Sequence, residues 1–250
     1  FLSKPVNYHE FLARTRSLIK NRQINRNYAS LESVLFSLAN AVEAKDAYTQ
    51  GHTERVSNLA VALGSKIGMS DAEIVSLRMG GILHDVGKIA TPKAILNKNG
   101  PLTDDEWVEM RAHPELGYRI CLPLAQSLGM ALDVIRHHHE KLDGSSYPDG
   151  LEGEEISLSA RVLGVVDIYD ALTSDRPYRE AMPLEAAINI LREDASAGKI
   201  DETVVEALAA MAGPAKGEQR RTADSEPPKK ILAIDDDPLK QKLVQALLGL

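Results

Sequence analysis

Six of the seven histidines fall between His52 and His139, at His52, His84, His113, His137, His138 and His139, and Asp85 directly follows His84. A second aspartate, Asp167, stands among Leu163, Val165, Val166 and Ile168. An ionised carboxylate in such an apolar run needs a partner, because burying it alone is costly. Imidazole and carboxylate donors together suit iron, manganese, zinc and similar divalent ions. The pattern therefore predicts a metal centre whose ligands come from at least four separate segments. A lone histidine is more often a satisfied core or surface residue, and His9 is read that way. His137 is read as exposed or as outer support.

Donors so dispersed have to be gathered by packed helices, the usual way a bundle builds such a site. Composition agrees: hydrophobic residues make up 44% but aromatics only 4%, which favours helices over sheets. Ser70-Asp71-Ala72-Glu73 and Thr103-Asp104-Asp105-Glu106 carry the reciprocal capping pattern that opens a helix. The helix from Asp71 is expected to stop near Gly87, because glycine accepts the left-handed conformation at a helix end. Further helices are expected over 158–172, 183–193 and 201–211, with a Gly-, Ser- and Pro-rich loop over 143–155. Near the N-terminus, Tyr8, Phe11, Leu12, Leu18 and Ile19, then Leu31, Val34, Leu35, Leu38 and Val42, recur at helical spacing, as one continuous helix or two. Residues 213–229, with Pro214, Gly217, Pro227 and Pro228, read as a flexible linker. Ile231-Leu232-Ala233-Ile234 then reads as a short strand running into Asp235-Asp236-Asp237 and a helix. The expected fold class is all-α: a helical bundle with a central metal site, N-terminal helices and a short C-terminal βα remnant.

The formal charge of −7 argues against a general polyanion binder, so no DNA partner is expected. Cys121 is the single cysteine, which excludes an internal disulfide and fits a reducing cytoplasm. No apolar run approaches the roughly 18 residues that span a bilayer, and no signal peptide is recognisable. The chain starts at Phe1 and is read as a segment of a longer protein.

Several blocks resemble one family. His84-Asp85-Val86-Gly87-Lys88 is similar to the HD signature of the HD phosphohydrolases. His138-His139-Glu140, Asp143-Gly144 and Tyr147-Pro148 resemble the signature loop of the HD-GYP family. The stretch from Asp167 through Tyr169-Asp170 to Arg176-Pro177-Tyr178-Arg179 resembles that family's next block, and Tyr48-Thr49-Gln50-Gly51-His52 and His113-Pro114-Glu115-Leu116-Gly117 resemble two more.

The resemblance implies a phosphodiesterase that cleaves cyclic di-GMP to the linear dinucleotide pGpG, to GMP or to both. It implies His52, His84, Asp85, His113, His138, His139 and Asp167 as metal ligands, with Asp85 bridging, and two divalent ions, iron or manganese. Asp85 and Lys88 would be catalytic, and Lys88, Tyr147, Arg176 and Arg179 would hold the substrate. Domain bounds follow: 1–45 as a receiver tail and linker helices, 46–212 as the catalytic domain, 213–229 as the linker, and 230–250 as the start of a second receiver. Receivers imply a histidine kinase as partner, and the family implies diguanylate cyclases as partners and a homodimer through the N-terminal helices. There are two departures. Ser146 replaces the glycine of the GYP triplet, which would displace Tyr147 if that position required positive φ. Tyr48 stands where three-metal members carry a glutamate, hence the expectation of two metals. A rival reading keeps the fold as a scaffold that senses the nucleotide or docks protein partners.

Overall fold

The computed structural model describes residues 8–46, 51–98, 100–175 and 180–212, the side chains of 8–13, 21 and 23–30 excepted. Tyr48, Arg176, Arg179, the linker, the strand expected at Ile231 and the Asp235–Asp237 run lie outside those residues, as does the side chain of His9.

Among the described residues every regular element is a helix, with one isolated antiparallel bridge between Asp143 and Glu152. In chain order the helices are α1 Tyr8–Glu43, α2 His52–Lys66, α3 Asp71–Leu83, α4 Lys93–Leu96, α5 Asp104–Arg111, α6 His113–Cys121, α7 Ala125–Leu128, α8 Ala131–His137, α9 Leu158–Thr173, α10 Leu184–Ser196 and α11 Glu202–Ala212. The N-terminal region is thus one helix of 36 residues. Both capping boxes form. Ser70 and Glu73 exchange side-chain and backbone hydrogen bonds at the start of α3, and Thr103 and Glu106 do so at the start of α5. Among the described residues no helix is long and apolar enough to cross a membrane.

The core has two parts that meet on α3 and α8. On one side Leu77 and Val134 pack with Leu63 of α2, Leu163 of α9, Leu191 of α10 and Leu208 of α11. On the other, Leu83 and Ile135 pack with Cys121 of α6 and with Leu35, Ala39 and Val42 of α1. Those three lie four and three residues apart, so they form one stripe on α1. Helices α3 and α8 are therefore apolar on both sides and fixed from both sides. At Gly81 a Cβ would stand 2.8 Å from the Ser57 Cα, so α2 and α3 cross with their backbones in near contact.

The helix opened by Ser70 stops at Leu83, short of Gly87. Gly87 lies instead in a 3-10 turn, Val86–Ile89, without positive φ. Its glycine is required by a close approach and not by left-handed backbone: a Cβ there would meet the His113 carbonyl oxygen at 2.0 Å.

Candidate metal centre

The expected ligands sit at helix ends and on one helix face. His52 is the first residue of α2, His84 and Asp85 follow α3, His113 opens α6, His138 and His139 follow α8, and Asp167 lies within α9. The fold draws them into one cluster of two triads. His52, His84 and Asp85 form one, and His113, His138 and His139 the other; in each, the potential ligand atoms lie within 4.8 Å of one another. Asp85 stands between them. Its Oδ2 lies 3.5 Å from His84 Nε2 and 3.8 Å from His52 Nε2, while its Oδ1 lies 3.4 Å from His113 Nε2. Asp167 joins the first triad, with Oδ1 3.4 Å from His52 Nε2.

The protons on the rings are fixed by what lies behind them. His84, His113 and His138 place Nδ1 2.8–2.9 Å from the backbone carbonyls of Gly81, Met110 and Ile135. A carbonyl only accepts, so Nδ1 carries the hydrogen and Nε2 presents a lone pair. His52 Nδ1 is held the same way by Asp170, at 2.7 Å. The Nε2 atoms of His113 and His138 are 3.4 Å apart, and those of His52 and His84 are 3.2 Å apart. Two lone pairs at that separation repel unless a cation or a proton stands between them. Protons are disfavoured at the second triad. Burial pushes His113 down to about 3 and His139 down to about 4, and holds His138 well below its ordinary value. Neutral, lone-pair-bearing imidazoles, His113 and His138 among them buried and backed by backbone carbonyls, are what a divalent cation requires.

Charge at the centre is negative and tightly held. Burial opposes ionisation of Asp85, but Lys88, His84, His113 and His52 keep its carboxyl well below the usual range. Lys88 Nζ lies 2.6 Å from Asp85 Oδ2, and burial of the lysine is outweighed by that carboxylate, so its pKa is raised. Asp167 is also lowered: the imidazoles of His52, His84 and His139 oppose its burial.

These directions give a pH test for the metal-free chain. The unfolded chain protonates its histidines near 6.5, while folded His113 and His139 resist down to about 3 and about 4. Between those values the unfolded state binds more protons, so stability falls as pH falls from about 6.5 toward 4. His52 and His137 are raised and act oppositely, burial being overcome by Asp170 for the first and by Asp133 and Asp149 for the second. Three imidazoles, His113, His138 and His139, are depressed against these two raised ones, so a net fall is expected. Urea midpoints of chelator-treated protein at pH 7, 6 and 5 should decline; a flat or rising series contradicts the neutral tautomers.

His137 is turned to other work. Its Nδ1 and Nε2 meet Asp133 and Asp149 at 2.7 and 2.9 Å, in agreement with its reading as outer support. Ser146 adopts no positive φ, and its hydroxyl donates to the His139 carbonyl at 2.5 Å. The serine ties the loop to the second triad, and the Tyr147 ring lies 5.0 Å from that of His139. Glu140 is nearly buried and accepts the backbone N–H groups of Asp149, Gly150 and Leu151 at 2.6, 3.1 and 3.2 Å. Glu140→Ala should cost about 2 kcal/mol in urea unfolding, since hydrogen bonds to a charged group are the stronger kind. An unchanged urea midpoint would contradict this anchoring role.

Sequence reading missed four positioning residues. Asp170 also binds Arg55, at 2.7 and 3.0 Å, so a buried carboxylate is shared between His52 and a guanidinium. Here a signal was present: Arg55 follows His52, and Asp170 follows Asp167, at the three-residue spacing that shares a helix face. Glu43, the last residue of α1, accepts from the N–H groups of Gly51 and Thr53 on either side of His52, at 3.3 and 2.5 Å. Lys45 Nζ donates to the Ile89 and Thr91 carbonyls at 2.7 and 2.5 Å, beside Lys88. The end of α1 thus grips the segments carrying His52 and Lys88. Beside the centre opens a cleft of about 700 Å³, lined among others by His52, Lys88, His113, His139, Tyr147 and Asp167. That is within the range of small-molecule sites.

The profile of the HD domain family matches residues 37–204. The chain belongs to the HD domain family. A relative named cyclic di-GMP phosphodiesterase response regulator RpfG, from Xanthomonas campestris, is 38% identical over 212 residues, covering 76% of this chain and 56% of that protein. The 3'3'-cGAMP-specific phosphodiesterase 3 of Vibrio cholerae is 40% identical over 166 residues, 66% of this chain and 36% of that protein. This HD domain chain therefore spans from about a third to just over half the length of these relatives. The solved structure of Bd1817, a HDG"Y"P protein from Bdellovibrio bacteriovorus, superposes with a TM-score of 0.57 at 21% identity, covering 78% of this chain and 67% of that one. At that identity the likeness shows the fold, and it agrees with the all-α reading.

Proposed function

We propose that this HD domain hydrolyses the phosphodiester bonds of cyclic di-GMP, using two divalent cations, iron or manganese, held by His52, His84, Asp85, His113, His138, His139 and Asp167. The observation that carries this reading is the position of Asp85, one carboxylate oxygen toward each triad. The relatives' names support the substrate class, one acting on cyclic di-GMP and one on 3'3'-cGAMP. When bound, the cations supply the field that activates water and steadies the phosphoryl oxygens.

The chain's own groups then divide the work. Asp85 sets the separation of the two sites. Lys88 lines the cleft, holds Asp85 Oδ2 and offers positive charge to a phosphoryl oxygen, since phosphoryl transfer is mainly positioning and electrostatics. Tyr147 closes the cleft beside the second triad. Arg176 and Arg179 complete the substrate contacts in this proposal, and pGpG and GMP are the products. A receiver flanking each end would tie hydrolysis to a phosphorelay in a bacterial cytoplasm.

The test is anaerobic purification, metal analysis and a cyclic di-GMP hydrolysis assay with product identification. About two metals per chain and release of pGpG or GMP are expected. Metal-loaded protein that binds the nucleotide tightly without turning it over would overturn the reading in favour of a scaffold.

A further inference from the structure

Beside the cleft stand two side chains that the metal chemistry does not use: Trp107 lines the cleft, and Arg111 lines an adjoining cavity of about 400 Å³ that shares Trp107, His139 and Tyr147 with it. Trp107 and Arg111 stand one turn apart on α5, so they share a face. Tyr147 reaches them from the 143–155 loop. The Arg111 guanidinium carbon lies 5.4 Å from the centre of the Trp107 ring and 5.5 Å from that of Tyr147. Helix α5 has no buried residue, and Trp107 is 42% exposed, so the indole is not there to fill a core. Among the described residues no carboxylate or carbonyl takes the N–H groups of Arg111. Stacking occupies the faces of a guanidinium and leaves its donor edges for a ligand.

We propose that Trp107 and Arg111 form the nucleobase platform of this cleft, the indole stacking on a base and the guanidinium donating to that base's acceptor edge, with guanine preferred over adenine. The inference rests on reading the cleft as a cyclic dinucleotide site. The Tyr147 ring touches both the platform and His139 of the second triad, so a nucleotide with its phosphate at the metals has its base beside α5. Stacking is tolerant, because every base has a π-face. Donation from arginine is selective: on the edge that carries N7, guanine offers two adjacent acceptors, N7 and O6, whereas adenine pairs N7 with the N6 donor. Trp107 therefore supplies affinity and Arg111 supplies discrimination.

Trp107 is the chain's only tryptophan, so emission at this position reports the stacked base directly. The manganese-loaded chain is titrated with GMP and with AMP. Saturable quenching by both is expected, with GMP bound roughly tenfold tighter. In Arg111→Ala the quench should persist and the GMP preference fall toward one. In Trp107→Ala, equilibrium dialysis should show both mononucleotides weakened about tenfold while bound manganese is unchanged. GMP binding seen by dialysis with silent emission, equal affinities in the unaltered chain, or no saturable binding would each overturn the proposal. Hydrolysis failing while quench and preference persist would overturn the phosphodiesterase reading and leave the platform standing; hydrolysis with a silent tryptophan would do the reverse.

Discussion

Asp85→Ala should strip the bound metal and lower cyclic di-GMP turnover at least about a thousandfold, ~4 kcal/mol of transition-state stabilisation. The carboxylate meets the His52–His84 pair with one oxygen and His113 with the other, so no single ligand loss removes more. The substitution also leaves the partly buried Lys88 without its 2.6 Å partner. A buried ion stripped of its partner is destabilising, so the melting temperature should fall as well. Lys88→Met separates the two effects. It removes the orphaned charge but keeps the bridging carboxylate, so it should retain metal while turnover drops. If Asp85→Ala keeps its metal and rate, the bridging role is wrong.

Gly87→Ala should be the most destabilising single-methyl change in the bundle. Its Cβ would stand 2.0 Å from the His113 carbonyl oxygen and 2.6 Å from the Gly117 nitrogen, both backbone atoms that cannot rotate aside. The 3-10 turn after His84-Asp85 would have to move off the start of α6, or the chain would fail to fold. Overpacking usually costs 1–3 kcal/mol; a clash with backbone on this scale belongs to the rarer class near ~4 kcal/mol. Soluble fraction, urea midpoint and metal content of the variant check this. Any folded remainder should bind metal poorly, because the shift separates Asp85 from His113. A variant with unchanged midpoint and full metal would contradict the close approach.

Much of the bundle was legible because its signals are local. A capping box is written within four residues, and Ser70–Glu73 and Thr103–Glu106 form as read. The expected ligands stood out by type, histidine beside aspartate, and the fold brings all seven into one cluster. What escaped depends on distances between helices. Nothing near Glu43 in sequence says that it will flank His52, and nothing near Lys45 announces the carbonyls after Lys88. Nothing near Arg111 in sequence says that the 143–155 loop will bring the Tyr147 ring against it. Gly87 shows a related limit. Its type signalled special backbone, but whether for a left-handed turn or for room beside another chain segment is decided by α6, which the sequence around it does not contain. At Ser146 the hydroxyl finds the His139 carbonyl and the backbone keeps an ordinary φ, a pairing that the neighbouring sequence does not announce.

Anomalous diffraction from crystals grown with manganese tests the central claim most directly. Two peaks are expected, one among His52, His84 and Asp167, the other among His113, His138 and His139, with an Asp85 oxygen on each. A single peak, or peaks that leave Asp85 uncoordinated, would contradict a bridged pair of cations at the heart of this HD domain.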